Sequence, residues 1–165
     1  MLNKIDKDII ELEGVIKEGL RHCSGIDADG TEHPGKDGIV GTIRRQRPFF
    51  EDVIPNFSEF YNGTINLDIS PQMFEVVYHD YEVICDWRKD GIPQTFWFVN
   101  VGLRHKKALY GGLVYYPCPR QGKARKRESI FELLFPFVLD LNYEDRASIL
   151  YSPIQIVIKS GGAIR

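Results

Sequence analysis

The sequence contains little of what would fix a fold through covalent or metal cross-links. Only three cysteines occur among 165 residues, and they lie far apart at Cys23, Cys85 and Cys118. Zinc sites and disulfide-rich scaffolds need closely spaced cysteines, so the spacing argues against both. We interpret the three side chains as reduced thiols, which predicts a cytoplasmic protein.

Long apolar runs and a large net charge are also missing. No stretch approaches the roughly 20 apolar residues that a membrane-spanning helix needs, and the N-terminus is charged from Lys4 onward. Neither secretion nor membrane insertion is expected. The formal net charge is only -2, so any attraction to nucleic acid or to an anionic membrane requires a local patch of charge.

What is present is enough apolar sequence, 43% of the residues, for one domain with a single compact body. At the N-terminus, apolar residues recur at spacings of three and four, which predicts an amphipathic helix. These residues are Ile5, Ile9, Leu12, Ile16 and Leu20. We expect residues 1–37 to be this helix and a linker, packed on a β-barrel domain of residues 38–165. The apolar stripe of the helix either packs on the barrel or forms a dimer seam, so the prediction is a monomer or a homodimer.

After Gly38 the hydrophobic period changes to two, which is typical of strands. The candidate strands are 38–44, 63–69, 81–87, 95–103, 108–117, 129–135 and 153–159. A helical turn is expected within 49–60 and a short helix at 142–150. The prediction is therefore a mainly β fold with a closed or nearly closed barrel of six to seven strands.

The strand at 63–69 carries the most specific chemical pattern. Side chains alternate across a strand, so Ile65 and Leu67 share the core face while Thr64, Asn66 and Asp68 share the other face. Thr64 and Asn66 are close enough to share one ion. Mg²⁺ prefers oxygen ligands and takes few protein ligands when substrate phosphates supply the rest. The alternative is an ordinary polar outer face.

Several segments resemble those of the archaeal CTP-dependent riboflavin kinases. Residues 60–67, Phe-Tyr-Asn-Gly-Thr-Ile-Asn-Leu, resemble the Gly-Thr-Leu-Asn-Leu segment of that family. Further similar segments follow in the same order: the Gly-rich stretch 38–42, the aromatic pair 49–50, and the strands 96–101, 112–117 and 130–136. The likeness spans roughly residues 38–158.

This resemblance implies a cradle-loop barrel, riboflavin-kinase-like, in which Thr64 and Asn66 hold the Mg²⁺ that bridges nucleotide phosphates. Gly41 and Thr42 occupy the place of the family's phosphate-facing glycine loop. The implied substrates are a nucleoside triphosphate, CTP-like, and riboflavin or another small hydroxylated acceptor. Magnesium is expected to arrive with the nucleotide, and no permanently bound cofactor is expected.

A general base for the accepting hydroxyl is expected at Glu132 or Asp68. Glu132 ranks first because its strand matches the family's. On the sequence alone, a structural role is favoured over a catalytic one for both residues.

Two short basic segments stand out in a chain that is otherwise net acidic. The first contains Arg44, Arg45 and Arg47, and the second contains Arg120, Lys123, Arg125, Lys126 and Arg127. Together they would form an anion site for a triphosphate or for a nucleic-acid backbone. The alternatives are solvated loops, a non-catalytic nucleic-acid-binding or regulatory barrel, and an inactive relative that assembles through its N-terminal helix.

Three adjacent aromatic residues, Phe96, Trp97 and Phe98, must point to both faces of their strand. At least one of them leaves the barrel interior, where a flavin or a nucleobase could stack. Core packing is the alternative. The four histidines show no ligand spacing, and none is assigned to a metal.

Overall fold

The computed structural model describes residues 8–18, 42–119, 128–136 and 140–161, and these residues form a mainly β structure. They contain one helix, α1 (Thr42–Glu51), and a 3₁₀ turn (Phe57–Glu59). The strands are β1 (Ile10–Lys17), β2 (Ile65–Asp68), β3 (Met73–Val76), β4 (Tyr81–Cys85), β5 (Gln94–His105), β6 (Ala108–Pro117), β7 (Ile130–Leu134), β8 (Arg146–Tyr151) and β9 (Ile156–Lys159).

Six of these strands close into a ring in the order β5-β6-β7-β2-β1-β8, and β8 pairs back onto β5. We call this ring the barrel. The long strand β5 makes the closure possible, because one of its edges pairs with β4 over Gln94–Phe98 and with β8 over Gly102–Arg104. Its other edge pairs with β6. Strands β3 and β9 form a separate two-stranded ribbon. The predicted mainly β, barrel-like architecture is therefore confirmed.

Alternate side chains of the barrel strands supply two hydrophobic cores. The barrel interior contains Leu67, Phe131 and Ile149 among others. The second core lies outside the barrel, where α1 and the 3₁₀ turn cover β4, β5 and β6. Its buried members are Ile43, Phe50, Ile54, Phe57, Val83, Cys85, Phe96, Phe98, Leu113, Tyr115 and Leu134.

The predicted N-terminal helix is wrong over residues 10–17, which form β1 between β2 and β8. The core-facing row of β1 is Leu12, Gly14 and Ile16, and Gly14 hides the alternation. A Cβ atom at Gly14 would lie 2.7 Å from the Asp68 carbonyl oxygen, so only glycine fits there. The described part of residues 1–37 thus belongs to the barrel.

The predicted strand at 38–44 is wrong at its end, because Thr42–Arg44 begin α1. Residues 38–41 lie outside the described ranges. The buried face of α1 is Ile43, Gln46 and Phe50, spaced by three and four residues. Gln46 is buried because its Oε1 accepts a hydrogen bond from the Tyr115 hydroxyl at 2.9 Å. A polar residue on the core face concealed the helical period.

The predicted short helix at 142–150 is also wrong, because β8 runs through most of it. Ala147, Ile149 and Tyr151 are buried at alternate positions. The other six predicted strands are confirmed and correspond to β2, β4, β5, β6, β7 and β9. Only β6 keeps both of its predicted ends, and β3 was not predicted. Within the described ranges, no helix is both long and apolar enough to cross a bilayer.

Candidate functional site

The outer face of β2 places Asn66 between two charged residues of neighbouring strands. Asn66 pairs with Lys17 of β1 on one side and with Glu132 of β7 on the other. Each of these three residues has a sequence neighbour that is buried in the barrel: Ile16, Leu67 and Phe131. Because side chains alternate across a strand, those of Lys17, Asn66 and Glu132 point outward. Paired positions lie about 5 Å apart between Cβ atoms. We call Lys17, Asn66 and Glu132 the Asn66 row.

The amide oxygen of Asn66 is buried without a hydrogen-bond partner, and it is the one side-chain atom in this state among the described residues. Leaving a buried acceptor unsatisfied costs about 1–3 kcal/mol. Native proteins rarely keep such a group unless a water, an ion or a function accounts for it. Asn66 Oδ1 is therefore chemically suited to a cation.

The Thr64 hydroxyl is an oxygen of the kind that Mg²⁺ binds, and the Glu132 carboxylate stands beside Asn66 as the candidate base. Thr64 is half-buried just ahead of β2, two residues from Asn66, and the Glu132 carboxylate is the cross-strand neighbour of Asn66. Mg²⁺ takes such oxygen ligands and keeps several waters. Among the described residues, His, Cys, Asp and Glu form no group of three that would hold a metal, so a site here depends on hydroxyl and amide oxygens.

Lys17 brings a positive charge to the same face. Its Nζ lies 2.8 and 2.9 Å from the two carboxylate oxygens of Glu144. Sequence reasoning missed this residue because it placed Lys17 in a helix. The position of Lys17 beside Asn66 depends on the register between β1 and β2, which no local pattern specifies.

Asp68, the second candidate base, has a structural contact. Its Oδ1 accepts hydrogen bonds from the backbone N–H of Ser70 at 2.8 Å and from the Ser70 hydroxyl at 2.6 Å. Such hydrogen bonds stabilise the turn that follows β2. Glu132 lies in the Asn66 row, whereas Asp68 lies two residues further along β2.

The guanidinium of Arg47 is surrounded by protein acceptors. It donates to Asn62 Oδ1 at 2.8 Å, to the Phe57 carbonyl at 2.9 Å and to the carbonyls of Ser58 and Phe60. The group also lies over the Phe57 ring. These contacts fasten α1 to the segment that leads into β2, because Asn62 precedes Thr64 by two residues. Arg47 thus serves to position this segment.

The remaining predicted phosphate contacts lie in two places. Thr42, Arg44 and Arg45 are in the first turn of α1, and Arg44 is exposed. Gly41, Arg120 and Lys123 lie outside the described ranges.

The residues that flank segment 120–127 are held at one end of the barrel. The Cys118 N–H donates to the Thr95 carbonyl, and Glu128 pairs with Phe74. This is the end at which β6 finishes and β7 begins. Thr64 lies towards the opposite end, where β7 finishes, since Ile65 pairs with Leu133.

A buried histidine that the sequence did not single out forms a pair with an aspartate. His105 is 7% exposed, and its Nε2 lies 3.1 Å from Asp145 Oδ2, which also accepts the backbone N–H of Asn142. Forty positions separate the two residues in sequence, so no motif connects them. His105 lies on the same face of β5 as the interior residues Val101 and Leu103. Asn66 faces outward, so the His105–Asp145 pair is separate from the Asn66 row.

Two of the described side chains outside the Asn66 row have raised pKa values. Burial raises the pKa of the Cys85 thiol and that of the Tyr151 hydroxyl. Cys85 belongs to the second core, outside the barrel, and Tyr151 belongs to the barrel interior. Both Cys85 and Cys118 are free thiols, whereas Cys23 lies outside the described ranges.

Comparison with known proteins gives no match, either to a protein-family model or to a curated protein.

Proposed function

We propose that the chain is a magnesium-dependent nucleotide-binding protein with a cradle-loop barrel related to the CTP-dependent riboflavin kinases. The proposed reaction transfers a phosphoryl group from a nucleoside triphosphate, CTP-like, to riboflavin or another small hydroxylated acceptor. One observation carries the proposal: the amide oxygen of Asn66 is buried without a partner among the described residues. The strand alternation and the family resemblance indicate the same residue independently.

In this proposal Thr64 and Asn66 hold the metal through their side-chain oxygens. When bound, the Mg²⁺ supplies positive charge that neutralises the phosphates and orients them. Neutral protein ligands suit this role because they leave the charge of the ion available to the nucleotide. Lys17 is next to Asn66 in the row, and its ammonium would leave Glu144 to reach the phosphates as a second cation.

Glu132 is the proposed general base. The acceptor hydroxyl gives its proton to the Glu132 carboxylate while its oxygen bonds to the γ-phosphorus of the nucleotide. The bond from that phosphorus to the β-phosphate oxygen breaks, and the nucleoside diphosphate leaves with the bonding electrons. Phosphoryl transfer depends mainly on positioning and on charge stabilisation, so one base and a few cations suffice.

Calorimetric titration tests the proposal directly. CTP, ATP and GTP would be titrated with and without Mg²⁺ into the wild type, into Thr64→Ala/Asn66→Ala, and into the control Asn100→Ala, which alters an exposed asparagine of β5. We expect magnesium-dependent binding to the wild type and to the control, and its loss in the double variant. Equal binding by all three proteins, or no binding by any, would contradict the proposal.

A second candidate function is a non-catalytic nucleic-acid-binding or regulatory barrel. One observation favours it: the residues flanking segment 120–127 are held at one end of the barrel, and this segment contributes five cations in sequence. Binding to a duplex should weaken steeply with salt, and the dependence should become shallower when these cations are changed to glutamine. Absence of binding at low salt would reject this function.

A further inference from the structure

Four aromatic rings form a stack that runs from the barrel interior to the surface. The ring centroids of Tyr116 and Trp97 are 6.1 Å apart, those of Trp97 and His79 are 5.0 Å apart, and those of His79 and Tyr78 are 6.0 Å apart. The planes of neighbouring rings differ by at most 20°. We call these four residues the aromatic stack. Tyr116 is 3% exposed and Tyr78 is 62% exposed, so the stack ends in a flat ring that faces solvent.

Two carboxylates accompany the stack. Glu82 Oε2 accepts the indole N–H of Trp97 at 2.8 Å, and Asp80 Oδ2 accepts the backbone N–H of Asn100 at 2.7 Å. Asp80 follows Tyr78 by two residues, and both carboxylates lie in exposed positions. These contacts hold one oxygen of each carboxylate in place. Carboxylates accept hydrogen bonds and repel anions, so this surface favours a ligand that donates hydrogen bonds.

We propose that the outer face of Tyr78 binds a planar nitrogen heterocycle that carries an amino group, such as adenine or cytosine. Nucleobases stack on aromatic side chains through their π-faces, and the parallel arrangement of the stack presents such a face. Asp80, two residues from Tyr78, then accepts a hydrogen bond from the amino group, and Glu82, which is bound to Trp97 two rings deeper, adds negative charge. This chemistry distinguishes adenine and cytosine from uracil, which has no amino group.

This site does not rest on the proposed function. Trp97 and Tyr116 are cross-strand partners near the finishing end of β6, whereas Thr64 lies towards the other end of the barrel. Loss of magnesium-dependent binding at Asn66 would leave stacking at Tyr78 unchanged. The ring could belong to a free nucleoside or to a base of a single strand, since both present the same chemistry.

Tryptophan fluorescence provides the test. The chain has two tryptophans, so Trp87→Phe leaves Trp97 as the only reporter. We would titrate this protein with adenosine, cytidine, uridine and a short single-stranded oligoadenylate. We expect saturable quenching by adenosine and cytidine and weaker quenching by uridine. Tighter binding of the oligoadenylate than of adenosine would identify a strand as the source of the ring, and equal binding would identify the free nucleoside.

Variants of two exposed tyrosines separate stacking from general effects. Tyr78→Ala should weaken binding of adenosine by about fivefold or more, as expected for the loss of one stacking ring. Tyr143→Ala, which alters a tyrosine of similar exposure before β8, should bind like its parent. Tyr78→Ala should keep the thermal midpoint of the parent. If Trp87→Phe folds poorly, nucleoside binding can be followed in the protein with both tryptophans. The NMR signal of the Trp97 indole N–H then reports it.

Three outcomes would overturn the proposal. The first is the absence of saturable quenching by every nucleoside. The second is equal binding by Tyr78→Ala and Tyr143→Ala. The third is saturation by tetramethylammonium with none by nucleosides, which would make the stack a cation site.

Discussion

The Asn66 side chain is expected to lower the stability of the protein when no ligand is bound. Its buried Oδ1 has no partner among the described residues, so Asn66→Leu removes an unsatisfied acceptor while keeping a similar shape. We expect the free energy of unfolding of the ligand-free protein to rise by about 1 kcal/mol. Urea unfolding measures this change.

The same variant should lose the stabilisation that Mg²⁺ and nucleotide give to the wild type, because a ligand stabilises only the state that binds it. Asn100→Leu, at an exposed strand position, is the control. It should change neither the free energy of unfolding without ligand nor the stabilisation by Mg²⁺ and nucleotide. A destabilised Asn66→Leu protein would mean that the amide oxygen already has a partner.

Arg47 and Arg44 lie on the same helix and should respond very differently to truncation. Arg47 donates to four groups of the segment that leads into β2, whereas Arg44 is exposed. Arg47→Ala should lower the free energy of unfolding by about 2–4 kcal/mol, because it removes four hydrogen bonds of a charged group, most of them part-buried. Arg44→Ala should change it by less than about 0.5 kcal/mol. Thermal unfolding of the two variants distinguishes these cases, and equal values would show that the contacts of Arg47 contribute little.

At the residue scale, the sequence predicts side-chain direction well and side-chain partners poorly. Alternation placed Asn66 and Thr64 on the outer face of their strand, and β2 is confirmed. Lys17 and Glu132 flank Asn66 only because β1, β2 and β7 pair in a particular register. The cluster containing Arg47 suggested a phosphate site, but this side chain contacts backbone carbonyls that no sequence pattern brings near.

At the scale of elements, the two adjacent glycines of β6 provide a matched pair. A Cβ atom at Gly112 would lie 2.5 Å from the Leu134 carbonyl oxygen and 2.6 Å from the Phe135 ring, whereas one at Gly111 would meet nothing within 4 Å. Gly112→Ala should therefore destabilise the protein by about 1–3 kcal/mol, because β6 and β7 must separate.

Gly111→Ala should be neutral or slightly stabilising, because glycine loses more backbone entropy on folding than alanine. Chemical unfolding of the two variants gives the comparison. Equal stabilities would mean that β6 and β7 pack less closely at Gly112 than described.

Most elements with a period of two were predicted, whereas β1, α1 and β8 were not. In β1 the core-facing Gly14 interrupts the alternation, and in α1 the buried Gln46 interrupts the helical period. In β8 the alternation of Ala147 and Ile149 was present in the sequence. The prediction of an assembly helix at the N-terminus loses its basis, because residues 10–17 pair with strands on both sides.

At the scale of the whole molecule, the two cores determine the response to alkaline pH. Burial raises the pKa of the Cys85 thiol above its usual 9.0 and that of the Tyr151 hydroxyl above its usual 10.0. In the unfolded chain these groups lose their protons at the usual values, while the folded chain keeps them to higher pH. The folded state then binds more protons, so the free energy of unfolding falls as pH rises above these values.

Urea unfolding at a series of pH values measures this decline. It should begin near pH 9.0 in the wild type and near pH 10.0 in Cys85→Ala, which lacks the thiol. A free energy of unfolding that rises through this range would contradict the burial of these groups.

The closed ring of six strands explains how a small protein presents two distinct binding surfaces. The interior is filled by hydrophobic side chains, so ligands must bind outside it or at its ends. The Asn66 row lies on the outer face of three strands, and the aromatic stack lies near the end where β6 finishes. We therefore expect two separate binding sites on one barrel, the more important being at the Asn66 row.

NMR with a paramagnetic metal tests that site most directly. Mn²⁺ substitutes for Mg²⁺ and broadens the signals of nearby groups, so the side-chain amide of Asn66 can be observed while Mn²⁺ and CTP are added. We predict that this signal broadens when both are present, and that the side-chain amide of Asn100 stays sharp. A sharp Asn66 signal at saturating Mn²⁺ and CTP would contradict the account.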